Sequence, residues 1–153
     1  MKSLVYESPI GFLLIRSENE FIIEVSFADA GSVSADADDC NVLQKCVSEF
    51  EKYFAGKLKD FTVPQKLVGT DFRKKCWATL QTIPYGETIS YKELASKVGN
   101  SKACRAVGGA NHHNPIVIIV PCHRVIGAGG SLTGFGGGID KKRFLLELEK
   151  KHK

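Results

Sequence analysis

The chain has 153 residues, 43% of them hydrophobic and 25% charged, with a formal net charge of +4. That length allows one domain or two small ones around a buried core, and the composition is that of a folded globular protein rather than a disordered or fibrous one. The longest apolar run is far too short to span a bilayer and the first residues lack the apolar stretch of a secretory leader, so neither a membrane role nor export is expected.

The charge is unevenly placed. Residues 1–69 hold 7 Lys and Arg against 11 Asp and Glu, net −4, whereas residues 70–153 hold 14 against 6, net +8. A basic second half favours a polyanionic partner over a merely solvated face, without specifying that partner. Five cysteines, at 40, 46, 76, 104 and 122, leave one unpaired in any disulfide scheme, and no Cys-x-x-Cys spacing occurs. Reduced, buried thiols in a cytoplasmic protein are the expectation for all but one of them.

Taken in chain order, residues 4–6 and 12–16 are strand-like and flank the turn signal Pro9-Ile10-Gly11, as in a hairpin. Residues 21–27 read as a third strand, and residues 28–38, small, polar and acidic, read as a loop. From Asp39 onward Val42, Leu43, Cys46, Val47, Phe50, Tyr53 and Phe54 recur at helical spacing until Gly56 closes the helix. Nothing here has catalytic spacing. The first half reads as a small α+β scaffold, residues 1–66, followed by a connector around 61–69 and a second domain over 67–153.

The second domain reads as mostly helical. Thr70 caps a helix to about Thr82 with Phe72, Cys76, Trp77 and Leu80 inward, and Pro84-Tyr85-Gly86 ends it. Ser90-Tyr91-Lys92-Glu93 is a capping box, opening a short helix whose core face is Leu94, Ala95 and Val98. Gly99-Asn100 turns the chain and Ser101 caps a helix over 102–110, so the pair suggests a helix-turn-helix. That second helix is almost bare: Ala103, Ala106, Gly108, Gly109 and Ala110 leave Arg105 as its one long cation. Packing on a neighbouring helix accounts for the spacing equally well. Combined with the net charge of +8, nucleic acid is the better explanation.

Pro115 ends that helix, because the residue before proline avoids the α region. Residues 116–120 then read as a buried extended run that delivers Cys122 beside His123. A thiolate is the nucleophile, and His123 is a candidate to accept its proton. Adjacent residues of an extended segment point opposite ways, so either the chain bends or a water bridges the two groups. The base needs a partner to fix its tautomer, and Glu149 is a candidate, on a final helix that starts at Asp140 and carries Phe144, Leu145 and Leu148. Rival readings are an inert core cysteine and a zinc site from His112, His113, Cys122 and His123, whose paired neighbours make poor geometry. The glycine-rich stretch 127–138 lacks the Gly-Lys-Ser/Thr ending of a phosphate loop and reads as a flexible wall over a pocket.

Pro121-Cys122-His123-Arg124-Val125 resembles the signature of the O6-alkylguanine-DNA alkyltransferases (methylated-DNA–protein-cysteine methyltransferases). The flanks agree: Arg105-Ala106-Val107-Gly108-Gly109-Ala110, Asn114-Pro115, the glycines of 134–138, and Leu145-Leu146 followed by Glu149. The similarity is strong over 72–149 and weaker before it. It implies an α+β protein, with an N-terminal ribonuclease H-like domain that lacks nuclease chemistry and a mostly helical, winged-helix-like C-terminal DNA-binding domain. Cys122 would be the alkyl acceptor, His123 the base acting through water, Glu149 its orienting partner and Asn114 the hinge of the active-site segment. Tyr91 would help swing the nucleotide out and protonate the leaving guanine, and Arg105 would fill the gap in the duplex.

The same resemblance puts Ser90, Lys102, Ala103, Ala106 and Gly108 with Tyr91 and Arg105 against the minor groove of double-stranded DNA. Val117, Pro121, Gly130, Ser131 and Phe135 would line the base pocket. Phe135 stands where the family usually has tyrosine, and Val117 where some relatives carry proline. The protein would be a monomer in the cytoplasm (or nucleus, in a eukaryote), consumed in one transfer and needing no cofactor. No metal is expected, since the structural zinc of some relatives needs Cys and His in the N-terminal half and no histidine precedes His112. The alternatives are a lesion-binding relative that does no chemistry, which would lack the acceptor cysteine; a helix-turn-helix regulator, for which the recognition helix is too bare to read bases; and a cysteine hydrolase.

Overall fold

The computed structural model describes residues 2–29, 40–132, 135 and 138–153. Most of the loop expected over 28–38 and several glycines of the 134–138 stretch lie outside them. The chain divides into two units, Met1–Val68 and Gly69–Lys153.

In the first unit β1 (Lys2–Ser8), β2 (Gly11–Glu18) and β3 (Phe21–Ala28) form an antiparallel sheet in the order β1-β2-β3. Alternation along β2 sends Leu13 and Ile15 to one face, where they are fully buried with Ile22 and Val25 of β3. The apolar stripe of α1 (Asn41–Phe54), made by Leu43, Cys46, Phe50 and Tyr53, packs on that sheet. Glu49 is a buried carboxylate on the same stripe. It accepts the Thr62 and Val63 N–H groups, each at 2.9 Å, and the Thr62 hydroxyl at 2.6 Å. Just beyond, Ile22 N–H donates to Pro64 and Lys66 N–H to Ile22, which lays the chain along β3.

The second unit holds α2 (Asp71–Leu80), α3 (Tyr91–Lys97), α4 (Cys104–His112) and α5 (Ile139–Lys151). A short parallel pair, β4 (Ile89–Ser90) with β5 (Val125–Ile126), joins them. Thr70 caps α2 by accepting Arg73 N–H, and both halves of the capping box at Ser90 and Glu93 are formed. The indole N–H of Trp77 donates to the Ala110 carbonyl at 2.8 Å, pinning α2 to the last turn of α4.

Two helix expectations are corrected. Phe72 is 38% exposed rather than inward. At 100° per residue it lies roughly 90° from the centre of the face made by Cys76, Trp77 and Leu80, a centre on which Arg73 falls instead. Ser101 does not cap α4: the helix begins at Cys104 after Ala103, without a side-chain cap. Asn100 takes over the turn, its side-chain oxygen accepting Lys102 N–H at 3.0 Å. Among the described residues, no helix is long and apolar enough to cross a membrane.

Candidate active site

Residues 116–120 fold back on themselves instead of running extended, which corrects the expected geometry. Val120 N–H returns to Ile116 at 3.0 Å and Ile119 N–H to Val117 at 2.8 Å. Ile118 has φ +72°, a left-handed conformation that a β-branched residue adopts only under constraint. Asn114 supplies the constraint from both ends: its amide nitrogen donates to Val120 at 2.7 Å and its oxygen accepts Ile116 N–H at 3.0 Å. The chain then leaves through Pro121 into a single 3₁₀ turn, Cys122–Arg124. The bend that adjacent Cys and His require is therefore built into the backbone.

Cys122 is 3% exposed. Burial pushes its thiol up to about 11, against the opposing pull of the Asn114 amide and the Lys142 ammonium. His123 makes no hydrogen bond to it. The imidazole is fully buried, its Nε2 lies 2.6 Å from Glu149 Oε2, and its Nδ1 is left without a hydrogen-bond partner. Glu149, 1% exposed, also accepts from Arg124 Nε at 2.8 Å and Nη2 at 3.1 Å. Burial alone would raise the Glu149 pKa, but His123 and Arg124 override it and hold the carboxyl well below the usual carboxylate range. Burial holds His123 below its ordinary value, only partly offset by Glu149. The pair is thus a carboxylate beside a neutral imidazole whose hydrogen sits on Nε2, leaving the Nδ1 lone pair available.

α5 brings the acid into place. Lys142, Leu145 and Glu149 form its buried face, while Phe144 is exposed. Lys142 is fully buried and donates to the Val125 carbonyl at 2.6 Å. Its ammonium also sits 6.0 Å from the centre of the Tyr91 ring. Tyr91 opens α3 directly after β4, and β5 begins three residues after Cys122, so the β4–β5 pairing sets this tyrosine beside the cysteine turn. Burial raises the Tyr91 phenol above its ordinary value, a hydrogen bond from Asn111 opposes that, and Cys122 adds to the rise. Sequence reasoning missed Lys142, Arg124 and Asn111. The signal for the first was its place on the Leu145–Glu149 face, one and two turns before those residues.

The α4 surface is open. Lys102, Arg105 and Ala106 are exposed, and a β-carbon built on Gly108 or Gly109 would meet nothing within 4 Å. Packing within the unit therefore does not demand small side chains there. Of the expected pocket residues, Pro121 and Phe135 are buried, Val117 is half-buried, and Gly130 and Ser131 are exposed. Among the described residues no group of three or more His, Cys, Asp or Glu is arranged to hold a metal ion.

Two family models match the chain. The 6-O-methylguanine DNA methyltransferase ribonuclease-like domain covers residues 1–67, and the DNA binding domain of the same name covers 71–151. A Methanosarcina acetivorans protein named methylated-DNA–protein-cysteine methyltransferase is 48% identical over 150 residues, spanning 95% of this chain and 96% of its own. A Mycobacterium bovis protein of the same name is 49% identical over 147 residues, spanning 94% and 89%. The solved structure of Mycobacterium tuberculosis OGT in complex with DNA superposes with a TM-score of 0.89 at 46% identity, covering 99% of this chain and 94% of that one.

Proposed function

Since the chain belongs to the 6-O-methylguanine DNA methyltransferase family, we propose that Cys122 is where its reaction ends, with His123, Glu149, Tyr91 and Asn114 serving that thiol. The protein binds DNA and repairs it by moving the alkyl group of a methylated base onto a cysteine of its own. The observation that carries the assignment is the junction of Cys122 with a buried carboxylate–imidazole pair whose Nδ1 is unoccupied.

A thiol held at about 11 is ionised in only about one molecule in ten thousand at pH 7, so a base has to act. His123 Nδ1 is that base, reached through a water because no direct hydrogen bond joins it to the thiol. Glu149 keeps the imidazole hydrogen on Nε2, and Arg124 keeps Glu149 ionised. Lys142 supplies positive charge where the thiolate forms. Sulfur bonds to the alkyl carbon as the carbon–oxygen bond breaks, and Tyr91 gives the departing base a proton. The thioether product has no route back to a thiol, so each molecule acts once. The damaged DNA is the alkyl donor and no cofactor enters.

An alkyl group on O6 is inaccessible inside a duplex, so the nucleotide must leave the stack at a cost of roughly a few kcal/mol. The bare surface of α4 and the residue before it, with Ala103, Ala106 and Gly108, supports close approach to the minor groove. Arg105 fills the vacated position, while Ser90 and Lys102 meet the backbone. Val117, Pro121, Gly130, Ser131 and Phe135 receive the extruded base. All five cysteines are free, which suits a reducing compartment, and we place the protein in the cytoplasm.

The test is intact-mass measurement after incubation with a duplex containing O6-methylguanine. A gain of one methylene, mapped to Cys122 and absent in Cys122→Ser, is expected. An unchanged mass despite tight binding would instead make the protein a lesion binder without chemistry.

A further inference from the structure

Asn111 closes the buried face of α4 and is 2% exposed. Its amide nitrogen donates to the Cys122 carbonyl at 3.3 Å, and the same side chain is hydrogen-bonded to the Tyr91 phenol. A backbone carbonyl only accepts, so the Cys122 carbonyl fixes the end of the amide that carries nitrogen. The second hydrogen of that NH₂ group then goes to the phenol oxygen. An oxygen that accepts in this direction has its own hydrogen aimed elsewhere.

The other end of the amide sharpens the point. Asn111 Oδ1 is buried without a hydrogen-bond partner, a state native proteins rarely tolerate. Turning the amide over would satisfy it with the phenol hydrogen, but would set oxygen against the Cys122 carbonyl and take the proton away from the substrate side.

We propose that Asn111 is a positioning residue for alkyl transfer: oriented by the carbonyl of the nucleophile, it donates to the Tyr91 phenol oxygen and leaves the phenol hydrogen facing the departing base. This deepens the reading of Cys122 as acceptor and Tyr91 as proton donor, and rests on it. In the step it serves, the Cys122 sulfur bonds to the alkyl carbon while the carbon–O6 bond breaks. The electron pair of that bond stays with the base, which takes the phenol hydrogen as a proton. The phenolate left behind is stabilised by the Asn111 donor until it receives the proton that the thiol gave up. The carbonyl of the nucleophile and the hydrogen of the acid are thereby coupled through one side chain.

The experiment is a double-mutant cycle on single-turnover transfer from an O6-methylguanine duplex, read by intact mass, with Asn111→Leu, Tyr91→Phe and the double variant. Asn111→Leu is expected to slow transfer about 10- to 100-fold, a part of what a general acid supplies, while duplex Kd stays within about twofold because Asn111 is buried away from DNA. The double variant is expected to be no slower than Tyr91→Phe alone, since Asn111 acts through the phenol. The loss is expected to shrink on an O6-alkylguanine bearing an electron-withdrawing group at C8, whose anion departs with less need of a proton.

Additive losses in the cycle, or an equal loss on both donors, overturn the proposal. Asn111→Ala, smaller and free of clash, runs in the same cycle, so that poor folding of Asn111→Leu does not remove the test. Failure of the underlying reading looks different: no mass gain in the wild type removes the acceptor role of Cys122. Full activity in Tyr91→Phe removes its donor role. Either result takes the proposal with it.

Discussion

Glu149→Gln keeps the shape of the buried acid and removes its charge, which separates orientation from packing. The carboxylate faces His123 Nε2 at 2.6 Å and Arg124 Nε and Nη2 at 2.8 and 3.1 Å. Glutamine offers one acceptor oxygen in place of two. Arg124 can only donate, so it claims that oxygen and leaves the glutamine NH₂ against His123 Nε2. The imidazole hydrogen must then move to Nδ1, the atom proposed to take the thiol proton. The equivalent acid-to-amide exchange in a serine protease triad costs about 10⁴ in turnover through the wrong tautomer, and a loss of ~10³–10⁴-fold in transfer rate is expected here.

The same change leaves the Arg124 charge buried and uncompensated, which costs ~3–5 kcal/mol. At roughly 2–4 °C per kcal/mol for a chain of this size, Tm falls by about 6–20 °C. Single-turnover mass spectrometry gives the rate and differential scanning fluorimetry gives Tm, both at a temperature where the variant is folded. A variant that melts early yet transfers within about threefold of wild-type rate would refute the reasoning. His123 would then not be the base, because a general base is worth far more than that.

Four further outcomes are expected. Lys142→Met removes the buried cation that opposes the rise at Cys122, so the thiol moves above about 11 and its alkylation by iodoacetamide near pH 9 slows about tenfold or more. Stability declines on both sides of neutrality. His123 and Glu149 are held below their ordinary values, so the unfolded chain binds more protons and stability is lost as pH falls below about 6.5 and again below about 4.5. The Cys122 thiol is held above its ordinary 9, so stability is also lost as pH rises from 9 towards about 11, which urea titrations across pH will show. Glu49→Ala strands the Thr62 and Val63 N–H groups and lowers stability by about 1–3 kcal/mol in urea unfolding, without changing the transfer rate. If Lys102 meets a phosphate as proposed, Lys102→Gln removes that contact, and the slope of log Kobs against log salt on unmodified duplex falls by about 0.9.

The strands of the first unit and α1 were legible because alternation and 3.6-residue periodicity both survive in the sequence, and the capping signals at Thr70 and Ser90 are local chemistry. Cys122, His123 and Glu149 were legible as a pattern of residue types. Their geometry was not, because a run of Ile and Val reads as strand whatever holds it. Only Asn114, bonding to both ends, turns 116–120 back on itself. α5 misled for a related reason: hydrophobicity marks Phe144, whereas the buried face carries Lys142 and Glu149, two charges whose partners lie elsewhere in the chain. Asn111 and Arg124 escaped likewise, since a buried polar side chain has meaning only once its acceptors are in place.

Trp77 is the chain's single tryptophan, and its indole is tied to the last turn of the helix proposed to enter the minor groove. Its emission is therefore an internal optical reporter for that helix: when lesion-bearing duplex docks, or when a used molecule lets go, the colour and intensity of one fluorophore can follow the event with no label attached.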